Sequence, residues 1–457
     1  MPAIKKLPIA LLQSLQGLPG FDEAAFVGVH ESREQITSVR INPKKKSKIQ
    51  NPKSQIPWTG HGYYLESRPS FTFDPLFHAG CYYVQEASSM FLEQSLKQSV
   101  DLSKPLKVLD LCAAPGGKST HIQSLLTADS LLVSNEVIRS RANILKDNII
   151  KWGCSNVVVT NNDPEHFSKL ENYFDVIVVD APCSGSGLFR RDPDAIDEWS
   201  ENNVQLCAQR QQRILIDVWP SLKNDGILIY STCSYSREED ENILEWINGQ
   251  LSATDYKLTV SASWSITETV ASSGNHGYRF WPDKVKGEGL FMACFQKKEG
   301  EENNSPVLKV KQKPELLSKK ELPYLEPWMD TNGIIFIKQQ DTIYAWPEKL
   351  VADFSWLREQ LRMIYSGTLV GELVRDKLVP DHALAMSGMP GPSVRRINLD
   401  KEQSIRYLQR NDIQLPDAPK GWQLVCFDDF PLGWVNVLPN RVNNYYPKEL
   451  RILKEHE

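Results

Sequence analysis

Apolar residues in the middle of the chain fall in short unbroken runs, not in strict alternation. "LKVLDL" (106–111), "LLVSN" (131–135), "NVVVT" (156–160), "DVIVVD" (175–180), "GILIYST" (226–232) and "LFMACFQ" (290–296) have strand length and many β-branched residues. Strands apolar on both faces belong in a parallel sheet covered by helices. The stretches at 117–127, 138–152, 200–223 and 237–249 carry helical spacing, so residues 101–299 are expected to form a doubly wound α/β domain.

The flanks are patterned differently. Residues 1–100 combine an amphipathic helical start, the strand-like "ITSVRIN" and the aromatic-rich "YYLESRPSFTFDPLFHAGCYYVQEASSM", which predicts an N-terminal α+β region. "KKEGEENNSPVLKVKQKPEL" is polar and contains Pro306 and Pro314, so a linker is expected at 300–320. Residues 321–457 mix short strand-like runs ("GIIFI", "TIYAW", "WQLVCF", "GWVNVL") with one or two helices and predict a C-terminal α+β appendage.

A chain of 457 residues exceeds one ordinary domain, and 41% hydrophobic with 24% charged residues is a globular composition. No apolar run approaches the roughly 18 residues of a membrane span. Eight scattered cysteines show neither disulfide density nor a C-x-x-C pair, so a reducing cytoplasm and no metal are expected. Cys154, Cys207, Cys294 and Cys426 are expected in the core. A net charge of −5 argues against indiscriminate polyanion binding. Locally, Arg40, Lys44, Lys45, Lys46, Lys48 and Lys53, followed by Trp58, Tyr63 and Tyr64, lie in a stretch free of acidic residues. Basic residues with aromatics suit phosphates and stacked bases, so this run is expected to contact nucleic acid.

The first strand meets a loop of small residues, Cys112, Ala113, Ala114, Pro115, Gly116, Gly117 and then Lys118, ahead of a helix. Such a loop lets a ligand approach the backbone. Glu136 closes the second strand, where a carboxylate can accept from ribose hydroxyls, and Asp163 follows the third, within reach of an adenine amino group. Each could instead cap the element that follows it. The loop has neither G-x-G-x-x-G nor G-x-x-x-x-G-K-[ST], so an adenosine carrying an amino acid, S-adenosylmethionine, fits better than a dinucleotide or a triphosphate.

The fourth strand ends in Asp180-Ala181-Pro182-Cys183 and the fifth in Ser231-Thr232-Cys233, which places two thiols at the same sheet edge. A thiolate beside a methyl donor suits cytosine chemistry, because addition to C6 turns the unreactive C5 into an enamine carbon. "LDLCAAPGGKSTHI", "DAPCSGSG" and "STCSYSREEDENIL" resemble the motifs of the Nol/Nop/Sun family of RNA (cytosine-5) methyltransferases. "HAGCYYVQEASSMFL" and "GYRFWPDKVKGEGLFMACF" resemble its bacterial branch.

That resemblance implies a Rossmann-like class I S-adenosylmethionine-dependent methyltransferase domain acting on RNA, with 16S rRNA as carrier. It implies Cys233 as nucleophile, Cys183 in resolution of the adduct, and Asp180 facing methyl donor and target base. Cys112 to Lys118, Glu136, Arg141 and Asp163 would surround the cofactor. DNA enzymes use the Pro-Cys thiol as nucleophile, so Cys183 is the alternative. Arg190 and Arg191 are expected to hold the RNA strand by its phosphates. His121 receives no role. A tRNA substrate and a non-catalytic RNA-binding factor remain the competing readings.

Overall fold

The computed structural model describes residues 5–32, 34–45, 47, 52–298 and 308–455. Its centre is a sheet whose strands are, in chain order, β1 (Lys107–Asp110), β2 (Leu131–Asn135), β3 (Val157–Thr160), β4 (Phe174–Asp180), β5 (Leu222–Thr232), β6 (Thr267–Val270), β7 (His276–Phe280), β8 (Leu290–Lys297) and β9 (Met363–Ser366). They lie in the order β6-β7-β8-β5-β4-β1-β2-β3-β9, with a short extra strand, Ala253–Asp255, on β8. β1 to β5 are mutually parallel. Every residue of β2 and β3 is buried, which is why their sequences are apolar without alternation. Helices α1 (Gly117–Leu125), α2 (Arg139–Trp152), α3 (Glu201–Val218) and α4 (Glu241–Gln250) cover the two faces.

Three strands, β6, β8 and β9, run against β1 to β5 and depart from the all-parallel expectation. β8 is antiparallel to β5, because it follows β7 through a short connection and returns beside it as a hairpin. Burial on both faces reports coverage, not direction. β9 comes from the C-terminal segment and pairs antiparallel with β3, so the appendage extends the central sheet. Trp346, Phe354 and Leu357 from that segment share one core with Ile177 and Leu228.

The C-terminal segment forms two further four-stranded sheets, the first of which takes Ile334–Gln339 and Thr342–Pro347 from ahead of β9. The second of them packs Tyr407, Leu408 and Val425 against Val39, Leu65 and Tyr82 of the N-terminal region. That region has its own sheet, ordered Pro52–Gln55, Gly62–Leu65, Ser38–Ile41, Tyr82–Val84. Among the described residues no helix is long and apolar enough to cross a membrane.

The basic run is where the sequence expectation fails. Arg40 is fully buried: it donates to Gln85 Oε1 (2.8 Å), Thr120 Oγ1 (2.6 Å), Ser124 Oγ (3.1 Å) and the Gly117 carbonyl (3.3 Å), and it sits 4.5 Å over the Trp152 ring. Burial lowers its pKa to about 9. Lys45 donates to the Ala79 and Lys151 carbonyls, and Trp58 and Tyr64 are core residues. Arg40, Trp58 and Tyr64 are buried away from RNA, Lys45 is half-buried, and Lys44 is exposed. Lys53 is exposed, and Lys46 and Lys48 lie outside the described residues.

Candidate active site

The loop after β1 is shaped by Gly116, whose φ of +115° is costly for any residue with a Cβ, and whose added Cβ would press on Leu145 at 3.3 Å. Arg141 Nη2 donates to the Ala114 carbonyl (2.9 Å) and Asn148 Nδ2 to that of Pro115 (2.8 Å), so α2 holds the loop in place. Beneath it Asp110 is fully buried; Oδ2 accepts from Ser119 Oγ at 2.6 Å, while Oδ1 has no hydrogen-bond partner. Burial pushes its pKa up to about 7.

Asp163 makes the capping contact that was the structural alternative, whereas Glu136 bonds ahead of α2 without capping it. Glu136 Oε1 accepts from the Ile138 amide (2.9 Å), with Oε2 3.6 Å from Arg141. Asp163 accepts from the Glu165 amide (3.3 Å) and lies 3.6 Å from Arg213. In each case one carboxylate oxygen faces only an arginine at 3.6 Å. An orphaned buried acceptor, a loop of small residues and a carboxylate at the end of β2 fit an adenosine that bears an amino acid.

Cys183 and Cys233 come together: their sulfurs are 2.8 Å apart. Two carboxylates weld the turns that carry them. Glu239 accepts from the Ser184 amide (2.8 Å), the Ser184 hydroxyl, Ser234 Oγ (2.6 Å) and Gln211 Nε2 (3.2 Å), and burial raises its pKa in spite of those bonds. Asp240 accepts from Thr232 Oγ1 (2.7 Å) and pairs with buried Arg279 at 3.1 Å. Gly187 completes the joint; its amide donates to the Cys233 carbonyl (2.8 Å), and a Cβ there would lie 2.7 Å from that same oxygen. The hydrogen bond to Cys233, together with burial, raises the Cys183 thiol well above its usual range.

A cavity of about 400 Å³ opens onto this edge, walled by Tyr83 to Glu86, Cys112 to Pro115, Gly117, Lys118, Asp180, Leu188, Arg191, Cys233 and Glu288 to Leu290, among others. Cys233 is on the wall; Cys183, half-buried like Cys233, is not part of it. Of the residues expected to hold the cofactor, Cys112 to Pro115, Gly117, Lys118 and Asp180 line this cavity, and Gly116, Glu136, Arg141 and Asp163 do not. Lys118 Nζ is 2.8 Å from Asp180 Oδ2, and Ser231 Oγ donates to Asp180 Oδ1 at 2.8 Å. Burial opposes the Lys118 charge, but Asp180, Asp110 and Cys233 outweigh it and raise the pKa.

Arg190 does not face solvent as expected. It donates to the Gly287 and Glu34 carbonyls and lies 3.7 Å from Glu288, bracing the loop before β8. His121 bonds buried Glu93 at 3.1 Å and packs in the core, and Cys154, Cys207, Cys294 and Cys426 are buried. Glu239 and the Tyr83–Glu86 wall were not singled out from sequence. "SREEDENIL" offers four carboxylates in a row, and only the fold distinguishes the one that reaches both turns.

A Rossmann-like sheet that brings a small-residue loop, an acidic strand end and a reactive edge together defines an S-adenosylmethionine-dependent methyltransferase fold. The family described as 16S rRNA methyltransferase RsmB/F matches residues 98–296, the N-terminal domain of 16S rRNA methyltransferase RsmF matches 7–87, and the methyltransferase RsmF PUA domain matches 394–452. The chain is 30% identical over 410 residues to ribosomal RNA small subunit methyltransferase F of Shewanella loihica, covering 86% of this chain and 83% of that one. The protein of the same name from Shewanella piezotolerans is 29% identical over 437 residues, covering 91% and 90%. A solved methyltransferase homolog protein from Pyrococcus horikoshii superposes with a TM-score of 0.50 at 25% identity, covering 64% of this chain and all of that one. NSun6 from the same organism has the same fold (TM-score 0.53, 19% identity, 65% and 100% coverage). The chain belongs to the 16S rRNA methyltransferase RsmB/F family and is a methyltransferase.

Proposed function

We propose that the protein methylates C5 of a cytosine in small-subunit rRNA, through a covalent bond between Cys233 and C6, with S-adenosylmethionine as donor. The observation that carries this reading is the pair of contacting thiols, one of them on the wall of a cavity that Asp180 and Lys118 also line. The loop Cys112–Lys118, Glu136, Arg141 and Asp163 would hold the cofactor, which supplies an electrophilic methyl group. The relatives' name supplies rRNA as the carrier.

The target base must leave its stack to reach Cys233. Cys233 thiolate adds to C6, helped by the Cys183 thiol hydrogen bond and the Lys118 charge, and C5 becomes nucleophilic. Asp180 and Lys118 offer an acceptor and a donor to the polar edge of the ring. After C5 is alkylated, its proton passes to water in the open cavity, the C5–H electron pair restores the C5–C6 double bond, and the C6–S pair leaves on the Cys233 sulfur. Cys183, in contact with that sulfur and carrying a proton, assists its departure. Residues 101–299 do the chemistry; residues 1–100 and, across the 300–320 connection, 321–457 grip the RNA. Such work lies in the cytoplasm, with no membrane or metal involved.

The test is nucleoside mass spectrometry of small-subunit rRNA and of tRNA after incubation with S-adenosylmethionine. New 5-methylcytidine in rRNA is expected. Product only in tRNA, or none in either, overturns the assignment.

A further inference from the structure

A second, smaller cleft adjoins the cavity that holds Cys233. It is walled by Gln35 to Ser38 and Arg68, and shares Val84, Gln85, Glu86, Arg191 and Glu288 with its neighbour. The two clefts are thus continuous along these shared residues. The cations on the walls are three. Lys118 is committed to Asp180, whereas Arg191 and Arg68 are exposed and make no side-chain hydrogen bond or ion pair among the described residues. Arg68 lies 5.3 Å over the Phe71 ring, a contact that orients the guanidinium and leaves its N–H groups free.

The carboxylates at the junction are hydrogen-bonded or buried, and Glu288 also feels the Arg191 charge. Glu86 is saturated by the Ser88, Ser89 and Glu288 amides at 2.8–2.9 Å, and Glu288 is buried beside Arg190. The adjacent arginines thus have divided roles: Arg190 braces the loop that carries Glu288, and Arg191 stands free at the boundary.

We propose that Arg191, from the turn after Cys183, and Arg68, from the N-terminal region, clamp an RNA backbone phosphate next to the target cytidine, which makes the second cleft the subsite of the neighbouring nucleotide. This rests on the RNA reading given above. Contact from both regions means that the cleft closes around the strand only when the N-terminal region is docked, as Arg40 docks it. Phosphate contacts of this kind fix position without reading sequence.

The test measures the affinity of the full-length protein for a fluorescein-labelled single-stranded RNA of a dozen nucleotides with one cytosine, by anisotropy across a potassium chloride series. Arg191→Ala and Arg68→Ala are each expected to weaken binding about tenfold at low salt. Because the two share one phosphate, the double variant is expected to lower the slope of log affinity against log salt by about 0.7 and each single variant by less. Arg191→Lys retains part of the affinity, since a point charge replaces a bidentate fork. In methylation assays KM for RNA rises more than kcat falls. Arg190→Ala instead lowers the melting temperature. Unchanged affinity and slope in a double variant that melts like wild type overturn the clamp. A clamp that survives while wild type methylates no RNA refutes the proposed activity alone, and methylation by wild type with an unaltered slope refutes the clamp alone.

Discussion

The turns that end β4 and β5 carry the same residue to the same edge, and the protein treats the two thiols differently. Cys233 lines the cavity that Lys118 and Asp180 also wall, whereas Cys183 is not part of its lining, and the bond to Cys233 together with burial raises the Cys183 thiol. On the proposed reading, the two cysteines, 2.8 Å apart, divide into a nucleophile and a supporting donor. The difference arises in placement, because Gly187 and Glu239 fix one turn against the other. Residue type alone says nothing about which thiol reaches the substrate.

Exchanging the thiols should break this comparison most visibly. Cys233→Ala is expected to abolish 5-methylcytidine formation, measured by tritium transfer from labelled cofactor. Cys183→Ala retains the first addition and slows turnover, read as a burst followed by a reduced steady rate.

Glu239→Ala frees both turns at once, and misplacement of about 1 Å costs on the order of 100-fold in rate. Glu239→Gln keeps an acceptor for the Ser184 amide and recovers part of that loss, which a purely electrostatic role for the carboxylate would not allow. Single-turnover methylation by rapid quench separates the two cases. Gly187→Ala pushes on the Cys233 carbonyl from 2.7 Å and should lower kcat by roughly tenfold, a smaller displacement of the same joint.

The smallest effect concerns the charge beneath both turns. Burial lifts Asp110 to about 7, so the folded protein holds a proton that the unfolded chain releases near its ordinary value of 3.8. The folded state then binds more protons between those values, and this group's contribution to stability falls as pH rises from about 4 to about 7 and is level above. Asp110→Asn should flatten that part of the profile, measured as melting temperature against pH.

The parts legible in the sequence were those whose signal is local. Runs such as "VIVVD" are apolar because both faces of the strand are covered, and Asp180, Cys183 and Cys233 follow directly from where those runs stop. β8 was legible as a strand but not in its direction, which its hairpin with β7 decides. β9 looked like part of a separate appendage because pairing across 200 residues leaves no mark on either strand. The basic run misled for a related reason: Arg40 and Lys45 look like solvated cations until the fold supplies carbonyl and hydroxyl acceptors for them. Arg190 and Arg191 are identical neighbours in sequence, and the turn after Gly187 buries one and exposes the other. Glu239 lies in a polar stretch that any exposed helix start could carry.

The central claim is that Cys233 bonds covalently to cytosine while Cys183 supports it. RNA carrying 5-fluorocytidine at the target position tests this directly, because fluorine cannot leave C5 as a proton does and the adduct persists. With cofactor present, wild type and Cys183→Ala are expected to yield a protein–RNA species stable to denaturing electrophoresis, and Cys233→Ala none. An adduct with Cys233→Ala that disappears with Cys183→Ala would contradict the account.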